Sequence, residues 1–132
     1  MSFEWEDLIE VVSHLIDYAD DCEVPEAYLR VAIGRSYYAV FCTARERLEA
    51  RTGAAVSSDS VHTCVRRAFR KSQDPCARRI GAALFELWKH RIDADYALHP
   101  RTPIVAARAE MCRARATKAM EELATLDKSL LR

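Results

Sequence analysis

The sequence predicts an all-α protein, an antiparallel four-helix bundle with one additional short helix, and three observations carry that expectation. Apolar residues recur at three- and four-residue steps along most of the chain. No stretch shows the two-residue alternation of a half-buried strand, and there is no internal repeat. Prolines and capping residues mark where helices start, and short proline-started connections favour antiparallel neighbours.

The first helix is read from Phe3, Trp5, Leu8, Ile9, Val12, Leu15, Ile16 and Ala19, and it stops at Asp20-Asp21 before Pro25. The second, Glu26 to Arg51, is the longest, with Leu29, Ile33, Tyr37, Val40, Phe41, Ala44 and Leu48 on one face. Pro25 suits its first turn and Gly53 its left-handed end. Gly34 inside it costs about 0.5–1 kcal/mol relative to alanine, which suggests a close approach to the backbone there. Thr52 to Ser60 reads as a loop, with Ser58 to Ser60 offering an N-cap to a short third helix built on Val61, Val65, Ala68 and Phe69. Asp74-Pro75 starts the fourth, where Ile80, Leu84, Leu87, Trp88 and then Arg91 share a stripe. Thr102-Pro103 starts the fifth, whose stripe (Val105, Ala109, Cys112, Ala116, Ala119, Met120, Leu123, Leu126) is mostly small and permits close helix approach.

With 132 residues, half of them hydrophobic, residues 1–132 are expected to form a single domain with its own core. No run of about 18 apolar residues is present, and the first residues are acidic where a secretory signal would be basic, so a soluble, cytoplasmic protein away from membranes is expected. The five cysteines are odd in number and lack a C-x-x-C pair, which fits small hydrophobes in a reducing compartment better than a metal or redox site. His14, near the apolar face of the first helix, and His62, at the start of the third, lack metal-ligand spacing, and no metal or cofactor is expected. A net charge of zero conceals an asymmetry. Every charged residue up to Leu29 is acidic, whereas Val61 to Arg91 holds Arg66, Arg67, Arg70, Lys71, Arg78, Arg79, Lys89 and Arg91 against Asp74 and Glu86. Such a contrast serves either two solvated faces that attract each other within or between copies or a nucleic-acid surface, for which Arg66, Arg67, Arg70 and Arg78 are the candidates.

The run Arg35-Ser36-Tyr37-Tyr38-Ala39-Val40-Phe41 resembles the R-x-Y-Y-A-x-F signature on the second long helix of bacterial HEPN domains, small all-helical domains of prokaryotic toxin–antitoxin and defence systems. A second stretch, Trp88 to His99, resembles the family's motif in which an arginine is followed by a histidine after four to six residues. Arg91 takes the arginine position, but His99 comes after seven and precedes Pro100, which disfavours a helical conformation for it. Arg91, Ala94, Asp95 and Tyr96 instead match an R-x-x-A-D-Y variant. In that branch His62 also falls near a histidine often present at the start of the corresponding helix.

The resemblance implies a homodimeric binding or regulatory protein that engages RNA or a nucleotidyltransferase-like partner. On this reading Arg35, Tyr38, Asp95 and Tyr96 form a polar cluster with Arg91, because a guanidinium carried into the core line needs an anionic partner. The alternative is a metal-independent endoribonuclease in which Arg91 holds the scissile phosphate and His99 or His90 moves the proton. Walker, zinc and Ser-His-Asp patterns are missing, which leaves no support for other enzyme classes.

Overall fold

The structure, a computed structural model, describes residues 2–53, 60–96 and 102–126. Five helices make up its regular structure: α1 (Asp7–Ala19), α2 (Pro25–Thr52), α3 (Val61–Arg70), α4 (Pro75–Tyr96) and α5 (Thr102–Thr125), with no strand among the described residues. No described helix is long and apolar enough to cross a membrane.

Local chemistry sets most of the boundaries. Pro25 opens α2, and Gly53, at φ 71°, closes it with its N–H donating to the Glu49 carbonyl at 2.8 Å. Asp74 caps α4, its Oδ2 accepting the Ala77 N–H at 3.0 Å. Ser60 precedes α3 without a side-chain cap hydrogen bond. The first helix starts later than the apolar spacing suggests. Trp5 lies in a turn before α1, where its Nε1–H donates to Glu46 Oε1 at 2.7 Å and its ring meets Phe3 edge-on. That bond ties the indole to a side chain of α2.

Four cross-links fix the helix directions. Trp5–Glu46 joins the start of α1 to the later part of α2, and Arg30 Nη1 donates to the Ala94 carbonyl at 2.6 Å, joining the start of α2 to the end of α4. Arg79 pairs with Glu122 at 2.9 Å across α4 and α5, and Arg113 approaches Asp17 at 3.9 Å across α5 and α1. The first three of these therefore join opposite ends of the helices they link. α2 is the central element, in contact with every other helix, while α3 leans mainly on α4. The core contains Tyr37, Ile33, Phe69, Ile80, Leu84, Leu87 and Leu123, all buried, and the small row Ala109, Cys112, Ala116 and Ala119 lets α5 come in close.

The close backbone approach expected at Gly34 is found elsewhere. A Cβ at Gly34 would meet nothing within 4 Å, whereas one at Gly81 would lie 2.6 Å from Arg70 Cγ and 2.9 Å from the Arg70 backbone nitrogen. Gly81 is thus the seat for the end of α3. His14 also differs from expectation: it is exposed and stacks on Tyr18 instead of entering the core. The five cysteines are free; Cys112 is buried and Cys64 exposed.

Candidate nucleic-acid interface

The arginines and aromatic rings singled out by the sequence alternate along one continuous strip over α2, α3 and α4. It begins on α2, where the Arg35 guanidinium lies over the Tyr38 ring at 5.5 Å. Arg91, from α4, lies over the same ring at 5.0 Å and 5.9 Å from the Tyr37 centroid. Tyr37 in turn bonds through its hydroxyl to His62 Nδ1 at 2.6 Å. One helical turn beyond His62, Arg66 lies over Trp88 at 4.6 Å and Phe85 at 5.5 Å, and Arg70 and Lys89 also approach the Phe85 ring. Aromatic faces attract and orient the cations above them, so these guanidiniums are held in place before any ligand arrives.

Two openings punctuate the strip. The first, a cavity of about 260 Å³, is lined by Arg30, Gly34, Arg35, Tyr38, Arg91 and Asp95 together with Val31. The missing side chain at Gly34 helps keep it open. Within it Arg91 Nε approaches Asp95 Oδ2 at 3.4 Å, an ion pair whose geometry does not make a hydrogen bond and leaves Nε, a buried atom, without an acceptor. Arg30 is already engaged by Glu26 and the Ala94 carbonyl, while Arg35 makes no ion pair among the described residues. The second opening, about 280 Å³, is lined by Thr63, Arg66, Arg67, Arg70 and Phe85, three guanidiniums with no carboxylate among them. Arg66 Nη1 is buried there with no hydrogen-bond partner. Glu86, the residue after Phe85 on α4, is occupied by Lys89 and Arg115.

The residues marked in the sequence are therefore divided. Arg35, Tyr38, Arg91 and Asp95 come together; Tyr96 is 71 % exposed and makes none of these contacts. Asp95 is exposed as well, with 41 % of its side chain accessible. The helical turn places Tyr96 on the outer side of α4, since it lies five residues from Arg91 rather than four. Arg66, Arg67 and Arg70 meet at the second opening, and Arg78 is exposed two turns before Phe85 on α4. His99 lies outside the described residues. His90 faces α5: its pKa is lowered by burial and then by Arg108 and Arg115, away from Arg91's partners on α2.

The histidine that the fold does bring to the strip is His62. Burial first, then Arg91 and Arg66, hold its pKa below the ordinary histidine value, so it is neutral at pH 7. Burial raises Tyr37 well above the ordinary tyrosine value, outweighing the same two arginines, and keeps it a phenol. The stronger pairing has that phenol donating to Nδ1, which puts the imidazole proton on Nε2. In this form His62 accepts at Nδ1, keeps its proton on Nε2 and cannot act as a base through that nitrogen. Spacing on α3 gave a signal for this, since His62 is one turn before Arg66; its bond to Tyr37 needed the packing of α3 on α2.

No protein-family model, curated protein or solved structure matches the chain. The fold and strip therefore define its class: an all-helical protein with a pre-ordered arginine–aromatic surface.

Proposed function

We propose that the protein is a HEPN-like binding module, a four-helix bundle of α1, α2, α4 and α5 with α3 as an appendage, that works as a homodimer and engages RNA through the strip. The observation that carries this reading is the second opening, where Arg66, Arg67 and Arg70 meet around Phe85 without a carboxylate. Guanidiniums that lack internal acceptors suit phosphate oxygens, which accept paired N–H bonds in a planar arrangement. Phosphate contacts position a nucleic acid without reading its sequence, so binding is expected to be weakly sequence-dependent and strongly salt-dependent. The resemblance to toxin–antitoxin and defence proteins adds a nucleotidyltransferase-like protein as the partner to look for beside RNA.

A catalytic role is the second reading, and Arg91 favours it, because it lines a cavity large enough for a phosphate group. Cleavage would also require a base near that phosphate. Among the described histidines only His62 is close, and with the Tyr37 hydroxyl donating to its Nδ1 the ring proton sits on Nε2, which leaves no free base there. Binding is therefore preferred over cleavage.

Incubating the dimer with labelled single-stranded RNA, with and without a chelator, separates the readings. The binding module retards the RNA and returns it intact. Cleavage that is lost in Arg91→Ala would overturn it in favour of the ribonuclease. Light scattering tests the dimer, with a species of twice the chain mass expected at micromolar concentration and a monomer alone contradicting it.

A further inference from the structure

Both α1 and α5 lie mainly against α2 and only lightly against each other, which leaves a groove of about 550 Å³ between them. Its floor is apolar, made by Ile9, Met120 and Ala124, and its rim carries Glu6, Asp7 and Glu10 from α1 and Glu121 from α5. None of these four carboxylates has a cation within ion-pair distance among the described residues. α1 cannot supply one, because no lysine or arginine occurs before Arg30.

We propose that this groove docks a cationic amphipathic α-helix of a partner protein, its apolar residues on the floor between Ile9 and Met120 and its lysines or arginines against Glu6, Glu10 and Glu121. The inference is independent of the RNA reading, since four carboxylates repel a phosphate backbone. Charge complementarity selects a basic partner and the apolar floor selects one with a hydrophobic row. A helix fits better than an extended segment: both walls are helices whose backbone groups are already paired, so no sheet edge is offered for strand addition. From Glu6 to Ser13 the wall is about 10 Å long at 1.5 Å per residue, room for two turns of a docked helix with apolar residues at i, i+3 or i+4, and i+7. A second copy is a poorer occupant. The outward face of its α3 presents Arg67 and Lys71 beside only two small apolar side chains, Cys64 and Ala68, among Ser60 and Thr63, too little for a row that would fill the floor.

The test uses a labelled peptide about 18 residues long, with leucines on one helical face and lysines on the other, as the probe for fluorescence anisotropy at low salt. The controls are a peptide of the same composition with the leucines scattered, and a leucine–glutamate counterpart. The leucine–lysine helix is expected to bind the wild-type protein, to weaken at least about tenfold in Glu10→Lys/Glu121→Lys, and to weaken less in Glu10→Gln/Glu121→Gln. Arg66→Ala/Arg70→Ala, which should lose RNA, is expected to bind the peptide as the wild type does, so the two readings can fail separately. Equal binding of the scattered peptide, or no effect of either glutamate double variant, would overturn the proposal. So would a change of oligomeric state in those variants, which would assign the groove to a second copy.

Discussion

Arg91 shows how much a single side chain's surroundings decide what it does. It lies over Tyr38 with 19 % of its side chain exposed, and its carboxylate partner Asp95 is exposed to solvent at 41 %. An ion pair with one partner exposed contributes under about 1 kcal/mol, so Asp95→Ala is expected to lower stability by no more than that in urea denaturation. A loss of 3 kcal/mol or more, about the cost of breaking a buried pair, would show that the guanidinium depends on Asp95 rather than on the ring beneath it. His62 and His90 give a pH signature. Both have folded pKa values below the ordinary histidine value, so the unfolded chain binds protons more readily than the folded one. Their contribution is in place above the unfolded pKa of about 6.5, and it is lost as the pH falls below that value through the folded pKa values. Stability measured from pH 8 to pH 5 is therefore expected to drop on the acid side, and the drop to be shallower in His62→Gln/His90→Gln. An unchanged slope would place both histidines in solvent.

At the level of the helix, two glycines give opposite expectations. In Gly81→Ala the new methyl would press on the Arg70 backbone, which cannot rotate away as a side-chain tip can, so α3 must shift. A cost of about 1–3 kcal/mol is expected, with RNA binding weakened because Arg66 and Arg70 move off Phe85. Gly34→Ala meets open space and gains helix propensity, so it is expected to be neutral or to stabilise by up to about 1 kcal/mol. Thermal melts of the two variants check both, and equal destabilisation would contradict the account. The same pair marks what the sequence made legible. Helix order, the caps at Pro25, Gly53 and Asp74, and the core stripes follow from local chemistry and periodicity, and the structure contains them. Which glycine admits a neighbour depends on which helix faces it, a tertiary fact that spacing within one helix does not encode. The site divides in the same way. Arg35, Tyr38, Arg91 and Asp95 could be brought together from helix faces alone, whereas the Tyr37–His62 bond and the seating of Arg66 on Trp88 and Phe85 depend on how α3 packs.

Across the whole molecule, the zero net charge resolves into two surfaces. The α1–α5 groove is acidic, and the strip over α2, α3 and α4 is basic, with rings under its guanidiniums. Binding of RNA through its phosphates, with the RNA left intact, is what the strip is expected to do. It is tested most directly by anisotropy of labelled single-stranded RNA across a salt series, for the wild type and Arg66→Ala/Arg70→Ala, with the RNA recovered and sized afterwards. The affinity is expected to fall with salt at a slope of about 0.7 per phosphate contacted, the slope to be reduced by about one to two in the double variant, and the RNA to be full-length in every sample. RNA binding with the same affinity and slope in the double variant, or RNA recovered as fragments, would contradict it.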